Sequence, residues 1–214
     1  LTEAAHAVFN LQSRARAFMV ARAHYDTDPA LFRTMLGPTI QYSCARWEGV
    51  EAAGSVGLDA AQEQKMEMIC RKLALEPGMR VLDIGCGWGT LALHMAQEHG
   101  VQVTGITVSR EQLAFAQDKA ASSGGDVEYR LMDYRSLRGE WDRVVSVGMF
   151  EHVGRRNYRE FMDIARNCLK SGGLFLLHSI GSNGAFGVGA GADPWLTHYI
   201  FPNGVLPSPS TLVD

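Results

Sequence analysis

The sequence predicts an α/β protein with a doubly wound, mostly parallel sheet and helices on both faces. Short runs rich in β-branched residues alternate with stretches of helical spacing, and a glycine-rich loop follows the first run. Parallel strands need long connections, which are usually helices, so this alternation indicates a sheet covered on both faces. The 214 residues, 46% of them apolar and 20% charged, suffice to bury a core and exclude a disordered chain.

Composition and charge exclude several classes of function. The net charge of -3 and the pI near 6.2 disfavour nucleic acid as a partner. No apolar run approaches the roughly 20 residues of a spanning helix, and the first residues lack the apolar stretch of a signal peptide. We therefore expect a soluble intracellular protein.

The cysteines and histidines do not form a metal-binding pattern in the sequence. The four cysteines are too scattered for paired zinc ligands, so we interpret them as reduced thiols and expect no metal site. They are Cys44, Cys70, Cys86 and Cys168. Four histidines have no chemical partners in the pattern, and we expect them to be solvated or packed. They are His6, His94, His99 and His198.

Three helices are predicted before the first strand. Apolar residues at near-helical spacing from Ala4 to Arg22, with arginines between them, predict an amphipathic helix that either packs on the domain or touches anionic lipid. Asp28 as N-cap and Pro29 at the first helical position begin a second helix, which Gly37 ends. A third helix begins near Asp59.

The rest of the chain alternates between strands and helices. The predicted strands are Arg80–Ile84, Val101–Thr107, Val127–Met132, Arg143–Val147 and Leu174–His178. The predicted helices between them are Thr90–Glu98, Arg110–Ala121 and Arg156–Leu169. Five glycines among the eleven residues from Gly181 to Gly191 predict a loop that is a candidate lid. We expect residues 1–58 to form a helical cover and lid region, and residues 59–214 to form the core.

The segment VLDIGCGWG gives the strongest chemical signal. A strand from Val81 ends at Asp83 and continues through Gly85, Gly87 and Gly89 into a helix. Glycines allow a tight turn and the close approach of a ligand, and the preceding acid favours a nucleoside cofactor. A dinucleotide site usually has GxGxxG and an acid ending the second strand, whereas this chain has GxGxG and GITVS, so NAD is disfavoured. The D-x-G-x-G pattern resembles the class I S-adenosylmethionine-dependent methyltransferases, which implies their fold.

Residues after the second and third strands are candidates for the rest of the cofactor site. No acid follows the second strand, so we expect Thr107 or Gln112 to hold the ribose. Asp133 directly follows the third strand, where it can accept the adenine amino group, with Met132 against the ring. The alternative for Asp133 is a surface aspartate that caps a turn.

Seven segments together carry a narrower resemblance. They are NLQSRARAF, AHYD, QYSCARW, LDIGCGWG, VSVGMFEHVG, FLLHSIGS and YIFPNG. In this order and at these separations they resemble the cyclopropane-fatty-acyl-phospholipid synthases, which include the mycolic acid cyclopropane synthases. The resemblance implies transfer of a methylene group from S-adenosylmethionine to the cis double bond of an unsaturated phospholipid acyl chain. It also implies that the ring forms through a carbocation that a bound bicarbonate deprotonates.

The resemblance also implies a set of site residues. Cys44, Glu151, His178 and Ile180 would line the bicarbonate pocket, Cys44 and Ile180 largely through backbone groups. Positions that contact the cofactor in relatives are matched by Tyr42, Ser43, Gly85, Gly87, Thr107, Gln112 and Val147. His24 and Tyr25 would belong to the cover over the active site. The alternatives are that Glu151 caps a helix, that His178 is an ordinary satisfied histidine and that Cys44 is a small buried residue.

The same resemblance leaves alternatives for the whole chain. The family continues well past YIFPNG, so we expect the last strands of the sheet to be missing from this chain and the exposed sheet edge to favour self-association, as in a homodimer. The chain is then either a synthase core or a non-catalytic S-adenosylmethionine-binding fragment. A lipid methyltransferase with a different product is a further alternative. The implied location is cytoplasmic, at the inner face of the membrane.

Overall fold

A computed structural model describes residues 10–19, 25–26, 28–50, 54–182 and 204–213. Within these ranges a five-stranded parallel sheet carries helices on both faces, which confirms the predicted fold class. The strands are β1 (Arg80–Ile84), β2 (Gln102–Thr107), β3 (Val127–Leu131), β4 (Trp141–Val147) and β5 (Leu169–His178). The helices are α1 (Pro29–Leu36), α2 (Gly54–Lys72), α3 (Thr90–His99), α4 (Arg110–Ser123), α5 (Tyr158–Asn167) and α6 (Pro209–Val213).

The order of the strands places a crevice at the centre of the sheet. The order is β3-β2-β1-β4-β5, so the chain adds strands on one side of β1 and then returns to add them on the other. Val81 of β1 is paired with Val103 on one side and with Arg143 on the other. Ligands of open α/β sheets bind at the carboxyl ends of the strands where this reversal occurs. A ligand site is therefore expected at the residues that follow β1 and β4.

Successive residues of β1 pack into two separate apolar layers. Val81 belongs to the layer that contains Met95 of α3, whereas Leu82 belongs to the opposite layer with Phe161 of α5. All four side chains are fully buried. Side chains alternate across a strand, so a strand with helices on both faces is mostly apolar, and the buried Asp83 is the exception in β1.

Several element boundaries follow the predicted local signals, and others do not. The Asp28 carboxylate accepts a hydrogen bond from the Ala30 amide at 2.8 Å, and Gly37 caps the other end of α1, as predicted. Helix α2 begins at Gly54 instead of near Asp59, because glycines in its first turn lower the local helix propensity and hide the start. It therefore runs through the predicted boundary between residues 58 and 59.

The predicted N-terminal helix is wrong over residues 10–18, Met19 is helical, and the rest of the prediction lies outside the described residues. The structure has a short 3-10 turn, Arg14–Arg16, in place of continuous helix. Tertiary hydrogen bonds account for the difference. Asn10 donates to Asn157 at 2.7 Å, and the Gln12 carbonyl accepts from Arg135 at 2.8 Å, so contacts with the core override the weak local periodicity.

Other expectations are only partly covered by the described residues. The glycine-rich candidate lid is described no further than Ser182. None of the described helices combines the length and apolarity that crossing a membrane requires. Self-association of the chain stays a prediction.

The contact between α2 and α3 brings together side chains that the sequence pattern kept apart. His94 and His99 lie beside Glu67 and Cys70, and one potential ligand atom from each of these residues lies within 4.8 Å of the others. The expectation that both histidines lack chemical partners is therefore wrong. The pattern gave no sign of this cluster, because it depends on how two helices pack.

Candidate active site

The loop of residues 85–89 joins β1 to α3. Gly85, Gly87 and Gly89 all have positive φ, at 86°, 55° and 80°, a backbone conformation that side chains disfavour. The amides of Gly85 and Cys86 both donate to the Ile106 carbonyl of β2, at 3.0 and 2.9 Å, which fixes the turn against the sheet. The loop therefore presents backbone with little side-chain cover at the carboxyl end of β1.

Gly89→Ala is expected to destabilise the protein by about 2–4 kcal/mol, through the left-handed conformation and overpacking together. An added Cβ would lie 2.6 Å from the Tyr129 hydroxyl oxygen and 2.7 Å from the Ala116 Cβ. Gly87→Ala is the matched control, since nothing lies within 4 Å of its Cβ position, and it should cost only about 1–2 kcal/mol. Urea unfolding of both variants measures the difference. Equal losses would contradict the steric argument.

A cavity lies at the carboxyl ends of β1, β2 and β4. All ten residues that we predicted to bind the cofactor line it, although they come from segments far apart in the chain. They are Tyr42, Ser43, Asp83, Gly85, Gly87, Thr107, Gln112, Met132, Asp133 and Val147. Leu11, Gln12 and Arg16 add a further wall, so the N-terminal segment covers part of the cavity. The individual contacts of these residues with a cofactor stay predictions.

Asp83 is the most deeply buried acid of the cavity, with 1% of its surface exposed. Its Oδ2 atom has no hydrogen-bond partner among the described residues. Burial raises the pKa of this carboxyl group to about 7. An ionised carboxylate in such a position gains stability from a positively charged group of a ligand.

Thr107 and Gln112, the two candidates for the ribose, contact each other. The Thr107 hydroxyl donates to the Gln112 side-chain oxygen at 2.7 Å, and both residues are buried. Ser109 caps α4 by accepting from the Gln112 amide at 3.1 Å, and its hydroxyl donates to Asp26 at 2.7 Å. The residues after β2 thus form one network that holds the Gln112 side chain at the cavity wall.

Asp133 caps a turn, as in the alternative that we gave, but it is buried and lines the cavity instead of lying at the surface. Its Oδ1 accepts from the Arg135 amide at 2.8 Å and its Oδ2 accepts from the Arg135 guanidinium at 2.9 Å. Asp133 therefore caps the turn after β3, and the adenine contact stays a prediction. The buried pair also connects to the N-terminal cover, since Arg135 donates to the Gln12 carbonyl.

The four predicted catalytic residues form two contacting pairs outside the lining of the cofactor cavity. The Glu151 Oε1 atom accepts from the Ile180 amide at 2.6 Å. The Cys44 Sγ atom lies 3.6 Å from His178 Nε2. Glu151 lies in a short 3-10 turn after β4, and its side chain does not cap that turn, in contrast to the alternative that we gave. Cys44 is exposed, so the alternative of a small buried residue is also not observed.

Two buried polar atoms in this cluster have no partner within the described part of the chain. They are Oε2 of Glu151 and Nδ1 of His178. Burial lowers the pKa of His178, an effect that the nearby Glu151 charge opposes and Lys65 reinforces. The imidazole is therefore neutral near pH 7, and one of its nitrogens can donate a hydrogen bond.

Sequence analysis missed the residues of α2 that hold the QYSC segment. Lys65 is 2% exposed and donates to Gln41 and to the Ser43 hydroxyl, each at 2.9 Å. Burial lowers its pKa to about 8. Gln62 donates to the Ser43 carbonyl at 3.0 Å. A lysine among helical residues gives no signal of burial, because its partners lie in a different segment.

Tyr25 and His152 connect the cover to the cavity. The Tyr25 hydroxyl lies 3.4 Å from His152 Nε2, and both residues line the cavity. His152 is not among the site residues predicted from the sequence. Burial and the charges of Tyr42 and Glu151 raise the pKa of Tyr25 well above its usual value, so its hydroxyl stays protonated and can donate.

The doubly wound parallel sheet, with a glycine loop under a cavity at the strand reversal, defines the class I methyltransferase fold. The family model for mycolic acid cyclopropane synthetase matches residues 12–214, and the chain belongs to this family. The resemblance predicted from the seven segments is therefore confirmed.

Sequence identity to curated relatives supports this assignment to the family. The chain is 51% identical to the cyclopropane-fatty-acyl-phospholipid synthase of Escherichia coli K12 over 201 residues. This match covers 94% of this chain and 50% of the relative. It is 37% identical to cyclopropane mycolic acid synthase 1 of Mycobacterium tuberculosis over 170 residues, 76% of this chain and 56% of the relative. The chain thus spans about half the length of these curated relatives.

Solved structures agree with the sequence comparison. Mycolic acid cyclopropane synthase CmaA1, complexed with SAH and CTAB, superimposes with a TM-score of 0.79 at 32% identity, over 91% of this chain and 71% of that one. Cyclopropane synthase MmaA2 from Mycobacterium tuberculosis gives a TM-score of 0.80 at 30% identity, over 96% and 74% of the two chains.

Proposed function

We propose that this chain is the S-adenosylmethionine-binding core of a cyclopropane-fatty-acyl-phospholipid synthase. The reaction moves a methylene group from S-adenosylmethionine to the cis double bond of an unsaturated phospholipid acyl chain. The observation that carries the proposal is the adjacency of two sites. Ser43 lines the cofactor cavity, and the next residue, Cys44, contacts His178 in the predicted catalytic cluster.

The cavity fits S-adenosylmethionine. Its walls combine exposed loop backbone at Gly85 and Gly87 with the buried carboxyl group of Asp83, which suits a cofactor that carries positive charge. A relative with this fold was solved with S-adenosylhomocysteine, the product of methyl transfer. When bound, S-adenosylmethionine supplies an electrophilic methyl group on a sulfonium.

The catalytic cluster fits a small anion such as bicarbonate. Glu151 Oε2 can accept a hydrogen bond from a protonated oxygen of the ion, and neutral His178 can donate one to another oxygen. Bound bicarbonate would supply a base for the proton that the added methyl group loses. In this arrangement Glu151 orients the ion, and its own carboxylate is fixed by the Ile180 amide.

The chain's own residues then position the reactants and exclude water. An unactivated alkene is a poor nucleophile, so catalysis depends on alignment with the sulfonium and on a dry site. Trp88 and Tyr42 line the cavity beside the glycine loop, and both pack against the buried Phe32, with ring centroids 5.1 and 5.7 Å from that of Phe32. Tyr25 and His152 add a polar contact at the same edge.

The proposed substrate lies in a membrane, so the proposal includes peripheral binding at the cytoplasmic face. Leu31 and Met35 of α1 are each 51% exposed, and their spacing of four residues places them on one face of the helix. Phe18 and Met19 of the N-terminal cover are also exposed, and they follow Arg14 and Arg16 closely in the sequence. Apolar groups near arginines suit an anionic lipid surface.

Mass spectrometry of lipid tests the proposed function. Vesicles that contain a cis-unsaturated phospholipid are incubated with the purified chain, S-adenosylmethionine and bicarbonate. We expect a product heavier by one CH2 that has lost its alkene. A product that keeps an alkene, or gains hydrogen or oxygen as well, would instead establish a lipid methyltransferase with a different product. Unchanged lipid beside clear cofactor binding would identify a non-catalytic binding fragment and overturn the proposal for this chain.

A further inference from the structure

We propose a structural zinc site that joins α2 to α3, apart from the cofactor cavity and the catalytic cluster. Its four ligands are Glu67, Cys70, His94 and His99. Neither the proposed reaction nor the family assignment requires these residues. The inference is independent of the proposed function.

The geometry of the four side chains is close to that of a metal site. Glu67 Oε2 lies 3.0 Å from His99 Nε2 and 3.9 Å from His94 Nε2. Among the described residues, one ligand atom from each of the four lies within 4.8 Å of all the others. A tetrahedral site with Zn–N of about 2.0 Å and Zn–S of about 2.3 Å holds its ligand atoms about 3.3 to 3.8 Å apart. Side-chain movements of about 1 Å would therefore bring the four ligand atoms to the spacing of a tetrahedral site.

A second observation favours a ligand at this position. His94 Nε2 is a buried nitrogen without a hydrogen-bond partner in the described ranges, although it points at the Glu67 carboxylate. The Cys70 side chain is fully buried in the core beside the same carboxylate. A buried polar nitrogen without a partner is unfavourable, whereas the protonated thiol is tolerated as a small apolar group. A cation bonded to all three groups would satisfy them.

The donor set selects the type of metal. Two imidazoles, one thiolate and one carboxylate match the nitrogen, sulfur and oxygen ligands of zinc, whereas calcium and magnesium prefer oxygen alone. Four protein ligands fill a tetrahedral shell, which is typical of a structural site. Binding would replace the Cys70 thiol proton with a sulfur–metal bond and release that proton to solvent.

The surroundings favour the entry of a cation. A surface groove is lined by Glu63, Glu67, His94 and Glu98, which brings three carboxylates to one side of the cluster. Arg46, Arg71 and Lys119 of the same groove oppose this charge. Arg71 lies 3.7 Å from the Glu67 Oε1 atom, so Oε2 is left to the two histidines. The groove gives the metal a path from solvent to Glu67 and His94.

Zinc binding would link α2 to α3 behind the glycine loop. Glu67 and Cys70 are three residues apart on α2, and His99 is the last residue of α3, which begins directly after Gly89. Bonds across the two helices would stabilise the folded chain by mass action, because the unfolded chain lacks the assembled site. Removal of zinc is therefore expected to lower the melting temperature while leaving the sheet topology unchanged.

Cobalt substitution tests the site directly. The purified, untagged chain is stripped with a chelator and titrated with Co²⁺, and zinc is then added in competition. We expect one equivalent of Co²⁺, a sulfur-to-cobalt charge-transfer band in the near ultraviolet, and its loss on addition of zinc. Cys70→Ala should abolish the band. His94→Gln and His99→Gln should each weaken zinc binding by at least about tenfold and remove the zinc-dependent rise in melting temperature.

Cys168→Ala is the matched control, since Cys168 is a buried free cysteine in the apolar layer on the opposite face of the sheet. It should keep the band and the affinity. Circular dichroism checks that each variant is folded, and the two histidine variants keep the test informative if Cys70→Ala is unstable. Absence of the band in the wild-type chain, or zinc affinity unchanged in both histidine variants, would overturn the proposal.

Discussion

Glu151→Gln is expected to lower the rate of lipid cyclopropanation by at least about a hundredfold, the range typical of groups that organise proton transfer. Glutamine has nearly the same shape, so its side-chain oxygen can still accept from the Ile180 amide. The nitrogen then occupies the place of Oε2, where it donates and cannot accept. The proposed hydrogen bond from a protonated anion is lost while the fold is retained.

The measurement combines turnover with cofactor binding. Initial rates are determined by mass spectrometry of the lipid at several bicarbonate concentrations, and S-adenosylhomocysteine affinity is measured by calorimetry. We expect the variant to lose its dependence on bicarbonate and to keep its affinity for S-adenosylhomocysteine within about twofold, since Glu151 does not line the cofactor cavity. Glu140→Gln, at an exposed position, is the matched control. A wild-type rate in Glu151→Gln would remove this residue from the mechanism.

The sequence was sufficient for the elements whose signals are local. Strand β1 was predicted with its observed bounds, because a short run rich in apolar residues is followed directly by glycines that have positive φ. Helix α1 was predicted because Asp28, Pro29 and Gly37 each act on the backbone nearest to them. Signals of this kind do not depend on the rest of the fold.

The cofactor cavity could also be predicted, for a topological reason. The carboxyl ends of parallel strands meet at one edge of the sheet, so Asp83, Thr107 and Val147, at the ends of three of these strands, line one cavity. Tyr42 and Ser43 were predicted only through the family resemblance. Their position depends on the buried contact between Ser43 and Lys65, 22 residues further along the chain.

Features that depend on tertiary contacts were missed. The N-terminal helix prediction failed because Gln12 is bound by Arg135, 123 residues away, and contacts of this range override a weak local periodicity. His94 and His99 looked isolated because their partners lie on another helix. Lys65 was not predicted, because its burial depends on the packing of α2 against the QYSC segment.

Asp83→Asn is expected to have two opposite effects. The variant should be more stable than wild type above neutral pH, and its affinity for S-adenosylmethionine should be lower by about 10- to 100-fold, the contribution of one charge-assisted hydrogen bond. Burial raises the pKa of Asp83 from 3.8 to about 7 in the folded chain. The folded state therefore holds the proton that the unfolded state releases, so the free energy of unfolding falls as pH rises between these two values. Asparagine carries no such penalty.

The pH dependence separates these effects from a general change in packing. Relative to wild type, the Asp83→Asn chain should gain melting temperature progressively between about pH 4 and about pH 7, keep that gain at higher pH and show none below about pH 4. Cys86 and Tyr129 lie near Asp83, but the pKa of each is raised far above this range, so neither contributes. S-adenosylmethionine carries positive charge and favours the ionised carboxylate, so its affinity for wild type should rise through about pH 7 and stay flat in the variant. If the stability difference between wild type and Asp83→Asn does not change with pH, Asp83 is already ionised in the folded chain without cofactor. If the affinity for S-adenosylmethionine is the same in both chains, the positive groups of the cofactor lie away from this carboxylate.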